Sequence, residues 1–182
     1  SILFEGTDIM DSSVDINKMR QKIGMVFQQF NLFPNHTVKG NIMLAPVQTG
    51  LMTKEEASKR ADELLVRVGL SDKADVYPAM LSGGQKQKIA LARALVHNSP
   101  VIIFDEATSN TDVYSEHQIN GLLHTKLKEK TVIIITHKQE ILKEADQIIM
   151  LKDGAVVGSG VYDDLSKDNL EFKNMLKMGE KY

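Results

Sequence analysis

The stretch Leu81–Leu95, with the sequence LSGGQKQKIALARAL, decides the fold of this chain. Ser82 and Gln85 have the spacing of a capping box, in which each side chain accepts the backbone N–H of the other residue at a helix start. Two glycines there let backbone N–H groups approach an anion closely, and the helix dipole adds partial positive charge. Taken alone, the pattern leaves open an anion-binding helix N-terminus or an ordinary serine-capped helix.

A second stretch, Val101–Glu106 with the sequence VIIFDE, follows that helix. Its four apolar residues indicate a buried strand of a parallel sheet. The acids after them lie at the carboxyl end of that strand, where open α/β sheets bind ligands. Asp105 can hold Mg²⁺ there, and Glu106 can polarise an attacking water. The alternative is a helix N-terminus that is rich in acidic residues.

Capping signals also define a helix upstream. Thr53 and Glu56 have capping-box spacing, and Gly69 provides a residue that tolerates the left-handed conformation at the helix end. Between residues 31 and 52, residues that break regular structure predict no long element. Those residues are Pro34, Gly40, Pro46 and Gly50.

Strands alternate with helices along the chain, which predicts an α/β fold with a largely parallel sheet. Further strands are expected at Ser1–Phe4, Ile23–Phe27 and Thr131–Ile135, and a hairpin turn at Asp153-Gly154. A helix carrying Leu170 is expected at the end of the chain. We assign the chain to one domain, residues 1–182, in which a helical subdomain, 31–97, is inserted into a sheet core formed by 1–30 and 98–182.

Composition excludes several classes of function. The 182 residues include 22 basic and 24 acidic side chains, a net charge of −2, and this is not the basic excess of a nucleic-acid-binding protein. The absence of cysteine excludes disulfides and thiolate metal sites. No apolar run approaches the roughly 20 residues that span a bilayer. We therefore expect no nucleic-acid partner, and any transmembrane part to be a separate chain or domain.

Together these stretches resemble the nucleotide-binding domain of ABC-type ATPases. Leu81–Leu95 is similar to the signature motif of that family, and Val101–Glu106 to its Walker B motif. Shorter matches follow in the family's order and cover essentially the whole chain. They are the Q-loop at Phe27–Phe30, the D-loop at Ser109–Asp112 and the switch histidine in Thr136-His137. Residues 26–41 are most similar to polar amino-acid importers.

The resemblance implies ATP and Mg²⁺ as ligands and ATP hydrolysis as the reaction. Asp105 and Gln28 would hold Mg²⁺. Glu106 would position or deprotonate the attacking water with the help of Gln28, and His137 would contact the γ-phosphate. The residues that would cap ATP held by a partner are Ser82, Gly83, Gly84, Gln85 and Asp112.

The implied partners are a second nucleotide-binding domain, paired head to tail, and transmembrane permease subunits contacted near residues 31–52. The chain would then act at the inner face of the cell membrane, as a peripheral cytoplasmic subunit that couples ATP hydrolysis to transport. One alternative is a soluble ABC ATPase of DNA repair or translation, which the compact spacing between Q-loop and signature motif disfavours. The other is a non-enzymatic fragment that binds no nucleotide alone.

The chain contains no Gly-x-x-x-x-Gly-Lys-Ser/Thr loop. In the family this loop lies upstream of the strand expected at Ser1–Phe4, and its N–H groups and lysine hold the phosphates. The expected fold is therefore a P-loop NTPase-like sheet without its N-terminal strand and phosphate loop. We expect either a rearranged sheet or part of a longer protein, and negligible ATP hydrolysis by this chain alone.

Overall fold

The computed structural model describes residues 1–106 and 129–179, which form an α/β fold. The strands are β1 (Leu3–Phe4), β2 (Thr7–Asp8), β3 (Ile23–Val26), β4 (Val101–Asp105), β5 (Thr131–Ile135), β6 (Ile148–Lys152) and β7 (Ala155–Gly160). The helices are α1 (Ile16–Gln21), α2 (Val38–Gln48), α3 (Lys54–Arg67), α4 (Gly83–Leu95), α5 (Gln139–Glu144), α6 (Tyr162–Asp168) and α7 (Leu170–Gly179).

The chain forms two compact units, residues 1–134 and 135–182. In the first unit, β3 and β4 pair in parallel, with Ile23 opposite Val101 and Val26 opposite Phe104, and β5 follows β4 in the sheet. The predicted parallel pairing is thus confirmed for β3 and β4. The boundaries of the helical subdomain at 31–97 remain a prediction.

The start of the chain differs from the strand expected at Ser1–Phe4. The observed strand is Leu3–Phe4, and it pairs antiparallel with β2 in a short hairpin. The Asp8 carboxylate shapes this hairpin, because its Oδ1 accepts hydrogen bonds from the backbone N–H groups of Ile2 and Met10, each at 3.1 Å. The pairing strand was not predicted, since its polar sequence carries no strand pattern.

Both predicted capping boxes are present. On α3, Thr53 Oγ1 accepts from the Glu56 N–H at 3.2 Å, and Glu56 Oε2 accepts from the Thr53 N–H at 2.8 Å. Gly69, with a φ of 68°, follows the helix in the left-handed conformation, as its position predicts. The apolar face of α3 is buried, at Ala57, Ala61, Leu64 and Leu65.

The expectation of no long element between residues 31 and 52 is wrong, because α2 includes both Gly40 and Pro46. Thr37 caps this helix, and its Oγ1 accepts the Gly40 N–H at 3.1 Å. A Cβ at Gly40 would lie 3.2 Å from the same oxygen, so glycine fits this first turn. Pro46 is buried in the last turn, where its missing N–H removes only one helical hydrogen bond. Gly50, with a φ of 70°, does follow the helix end.

Helix α4 contributes to two cores of the first unit. Ile89 and Ala92 pack with apolar residues of α2 and α3, whereas Ala90, Leu91 and Ala94 pack with β3 and β4. Helix α4 and strand β3 are in close contact.

The second unit contains the hairpin of β6 and β7 and helices α5 to α7. Asp153 and Gly154 have φ values of 50° and 78°, which confirms the predicted hairpin turn. The expected terminal helix is α7, whereas α6 was not predicted. Asn169 separates them, since its Oδ1 accepts the Phe172 N–H at 2.9 Å and so caps α7. No helix within the described ranges is long and apolar enough to cross a bilayer.

At Gly24 the backbone of β3 lies close to α4. A Cβ there would lie 2.9 Å from the carbonyl oxygen of Ala94, a backbone atom that moves only if the helix shifts. We expect Gly24→Ala to lower the free energy of unfolding by about 1–3 kcal/mol in urea titrations, as overpacked cores do.

Gly83→Ala is the matched control. A Cβ at exposed Gly83 meets nothing within 4 Å, so we expect a change below about 1 kcal/mol. Equal losses in the two variants would contradict a tight contact between β3 and α4.

Candidate functional site

Two of the predicted catalytic side chains meet where β3 and β4 end. Because these strands are parallel and Val26 lies opposite Phe104, the residues that follow them emerge at the same edge of the sheet. There the Gln28 side-chain Nε2 donates a hydrogen bond to Glu106 Oε2 at 3.1 Å. Asp105, the predicted metal ligand, is the last residue of β4.

Glu106 has a φ of 44°, in the left-handed region. A residue with a Cβ adopts this region at a cost of about 1–2 kcal/mol. The conformation turns the chain out of the strand direction immediately after Asp105. Such conformations concentrate at functional sites, so the backbone supports a special role for this position.

The segment that follows β3 is a tight turn around Gln28. The Phe30 N–H donates to the Phe27 carbonyl at 3.0 Å, which places Gln28 and Gln29 at the central positions of a β-turn. Phe30 and Asn31 then have φ values of 60° and 45°. The last residue of the turn and the residue after it are therefore both in the left-handed region.

Arg93 on α4 holds the end of this turn. Its Nη1 donates to the Asn31 carbonyl and its Nη2 to the Phe30 carbonyl, each at 2.7 Å. The guanidinium also lies over the Phe33 ring, 5.8 Å from its centroid. Burial lowers the pKa of Arg93 from its usual value, but arginine remains protonated in proteins.

Asn41 on α2 holds the residues that come next. This side chain is fully buried, and its Oδ1 accepts the Phe33 N–H at 2.7 Å. Its Nδ2 donates to the carbonyls of Phe33, His36 and Thr37 at 3.0–3.1 Å. The segment after Gln28 is thus fixed by two helices.

Sequence reasoning identified neither Arg93 nor Asn41. The available signal was a single charged residue inside the apolar run 89–95, since a buried charge requires partners. The partners themselves are far away in sequence and could not be read from it.

The predicted anion-binding residues lie together at the N-terminus of α4. Ser82 Oγ accepts the Gln85 N–H at 3.3 Å, and Gln85 Oε1 accepts the Ser82 N–H at 3.0 Å. Ser82 and Gly83 are exposed, and a Cβ at Gly83 would meet open space. Because first-turn N–H groups have no intrahelical acceptors, those of Gly83 and Gly84 are suited to an external anion.

Two further predicted site residues are His137 and Asp112. His137 follows β5, is exposed and is described only within the second unit. The Thr136 hydroxyl beside it accepts the Lys138 N–H at 3.1 Å. Asp112, with the rest of the predicted D-loop, lies outside the described residues. In the described ranges, no group of three or more histidine or acidic residues could hold a metal.

Comparison with known proteins decides the family. The sequence model of a family described as ABC transporter matches residues 1–109. This chain belongs to the ABC transporter family. The predicted resemblance to ABC nucleotide-binding domains is therefore confirmed, whereas the roles of individual residues remain predictions.

Curated ABC relatives include ATP-binding proteins of two transport systems. The glutamine transport ATP-binding protein GlnQ of Bacillus subtilis is 44% identical over 158 residues, which are 86% of this chain and 65% of the relative. The methionine import ATP-binding protein MetN of Corynebacterium diphtheriae is 42% identical over 170 residues, 91% of this chain and 50% of the relative. The chain thus spans between half and two thirds of these relatives.

Solved ABC structures show the same fold. The ATP-binding cassette MJ0796, in a dimeric post-hydrolysis state bound to ADP and Pi, has a TM-score of 0.73 with 37% identity. The match covers 82% of this chain and 68% of the MJ0796 chain. The P-loop NTPase-like α/β fold class is confirmed by this likeness.

Two substitutions test the backbone at Glu106. Glu106→Ala and Glu106→Gly both remove the side chain that accepts from Gln28, so their difference reports on the backbone alone. We expect the glycine variant to be more stable by about 1 kcal/mol in thermal or urea unfolding, because glycine adopts positive φ without strain. The usual order, with alanine more stable than glycine, would show that position 106 is not left-handed.

Proposed function

We propose that this chain is part of the ATP-binding subunit of an ABC-type membrane transporter, which couples ATP hydrolysis to transport. The hydrogen bond between Gln28 and Glu106, at the shared edge of β3 and β4, carries the proposal. It joins an amide and a carboxylate where a P-loop fold acts on a phosphate. The names of the GlnQ and MetN relatives, both ATP-binding proteins of transport systems, support it.

Glu106 acts as the base or orienting group for the attacking water in this proposal. A carboxylate can accept about four hydrogen bonds, so Glu106 can hold a water while it accepts from Gln28. Gln28 restrains the carboxylate, and the left-handed backbone of Glu106 sets its direction. Orientation of this kind is a large part of catalysis in phosphoryl transfer.

Asp105 and Gln28 would hold Mg²⁺. This ion is usually bound by one or two protein oxygens and completes its shell with water and substrate phosphates, so a site without a three-residue acidic cluster fits it. Since the Gln28 amide nitrogen donates to Glu106, its amide oxygen is the remaining ligand atom. When bound, the ion neutralises phosphate charge.

Ser82, Gly83, Gly84 and Gln85 would cap the ATP held by a second nucleotide-binding domain, together with Asp112. Arg93 contacts the turn of Gln28, and at 1.5 Å per residue it lies about 15 Å along α4 from Gly83. The two ends of this helix therefore suit two separate sites, as in a head-to-tail dimer. The dimeric MJ0796 cassette supports the pairing.

His137 would complete the site by contacting the γ-phosphate and stabilising the charge that develops on the phosphoryl oxygens. Electrostatic stabilisation of this kind is usually the largest catalytic contribution. The position of His137 in the family's order of motifs, two residues after the end of β5, supports the assignment.

Transmembrane permease subunits are the proposed partners of residues 31–52. Exposed apolar side chains in this range support a contact surface, and they are Phe33, Val47 and Leu51. The subunit would then lie on the inner, cytoplasmic face of the cell membrane. The transport substrate is set by the other subunits.

One observation favours a second candidate, a non-enzymatic fragment: the chain contains no phosphate-binding loop. Without the lysine and N–H groups of that loop, Asp105 and Glu106 lack the main source of nucleotide affinity. An ATPase measurement on a chain to which the phosphate-binding loop has been added distinguishes the two candidates.

ATP turnover tests both candidates. We expect the 182-residue chain to release phosphate only at background rate, and a chimera fused to an ABC phosphate-loop segment to hydrolyse ATP with Mg²⁺. Glu106→Gln should lower the kcat of the chimera at least about a hundredfold, because it removes the base. Turnover by the chain alone that Glu106→Gln abolishes would overturn the fragment reading, and a chimera indifferent to Glu106→Gln would overturn the proposed role.

Ser82→Ala and Thr53→Ala form a matched pair for the proposed cap. Each removes one hydroxyl from a capping box, so each should lower the free energy of unfolding by about 1 kcal/mol. Only Ser82→Ala should also weaken ATP-dependent dimerisation of the chimera, measured by sedimentation in the Glu106→Gln background. Equal weakening by both variants would show that Ser82 acts only as a helix cap.

A further inference from the structure

The turn that carries Gln28 depends on one side chain of α4. Phe30 and Asn31, at the end of this turn, both have positive φ, a conformation that persists only where the surroundings hold it. Arg93 donates to the carbonyls of these same two residues at 2.7 Å. Hydrogen bonds from an ionised donor at this length are about twice as strong as neutral ones.

The contact uses the shape of arginine as well as its charge. A guanidinium holds its five N–H donors in one fixed plane, so its two terminal nitrogens can each bind one of two adjacent carbonyls. A lysine at this position would keep the charge, but one terminal nitrogen on a shorter side chain would replace the two nitrogens that reach the Asn31 and Phe30 carbonyls separately. The Phe33 ring, 5.8 Å from the guanidinium, adds a cation–π contact.

Asn41 and Arg93 bind different parts of the segment that follows β3. The hydrogen bonds of Asn41 reach Phe33, His36 and Thr37, downstream of the turn. Of these two residues, only Arg93 donates to the carbonyls of Phe30 and Asn31, where the turn around Gln28 ends. Loss of Arg93 would therefore release Gln28, whereas loss of Asn41 would destabilise the chain beyond it.

We propose that Arg93 is a positioning residue that holds Gln28 against Glu106 and so links the signature helix to the catalytic pair. This inference rests on the proposed function. In this role Arg93 acts through the Phe30 and Asn31 carbonyls, to which it donates. A shift of α4 would move Arg93, change the turn and alter the distance between Gln28 and Glu106.

A spectroscopic test needs no catalysis. Because the chain has no cysteine, Gln29→Cys provides a unique site for a nitroxide label inside the turn. We expect Arg93→Lys to sharpen the electron paramagnetic resonance spectrum, since the label becomes more mobile. Arg60→Lys is the control, because Arg60 pairs with Glu63 on the surface of α3 and should leave the spectrum unchanged. Identical spectra for Arg93→Lys and the parent would overturn the inference.

A kinetic test uses the nucleotide-competent chimera. We expect Arg93→Lys to lower kcat by about tenfold to a hundredfold, as small misplacements of catalytic groups do, with KM changed less than about twofold. Adding Arg93→Lys to Gln28→Ala should cause no further loss, because both act on one group. Losses that multiply would overturn the inference, as would an unchanged kcat.

Asn41→Ala controls for instability. It removes buried hydrogen bonds and should lower the unfolding midpoint at least as much as Arg93→Lys, yet its effect on kcat should multiply with that of Gln28→Ala. If the parent chimera is folded but inactive, the proposed function fails, and the nitroxide spectra still decide the role of Arg93.

Discussion

The contact between α4 and β3 is the constraint on which the rest of the first unit depends. Helix α4 is buried on two sides, against α2 and α3 on one and against the sheet on the other. The missing side chain of Gly24 allows the backbone of α4 at Ala94 to approach the strand. Because a helix is a regular, rigid element, this close contact also fixes the positions of the exposed N-terminus of α4 and of the Arg93 guanidinium.

Two polar side chains near this contact, Arg93 and Asn41, bind an irregular segment of the chain rather than a helix or a strand. Asn41 is fully buried and Arg93 is half-buried, and each would be costly there without partners. Both donate to backbone carbonyls of residues 30–37, a segment without regular secondary structure. The cost of burial is thus offset by hydrogen bonds that also supply donors to the Phe30 and Asn31 carbonyls, which lie outside the helices and strands.

The sequence predicted the features that depend on residues near one another. The capping boxes at Thr53 and Ser82 and the turn at Asp153 follow from spacings of a few residues, and the structure contains all three. Helix α2 was missed because tertiary packing outweighs the poor helix propensity of Gly40 and Pro46. The proximity of Gln28 and Glu106 could be expected only from the order of motifs. The two hydrogen bonds of Arg93 could not be predicted, because no local pattern specifies partners 62 and 63 residues away.

The capping box of α4 and the proposed capping of a partner's ATP use the same residues without conflict. Ser82 Oγ accepts from the Gln85 N–H, but a hydroxyl also has a hydrogen to donate to a phosphate oxygen. Gln85 accepts from the Ser82 N–H through Oε1, and its amide nitrogen can still donate. Nucleotide binding would therefore add acceptors to a helix start that is already formed, so α4 need not unwind. A helix that keeps its shape while nucleotide binds at its N-terminus moves as a rigid element. Under that condition, nucleotide binding at Gly83 and Gly84 would shift Arg93 near the other end of α4, and Arg93 in turn would shift the turn that carries Gln28.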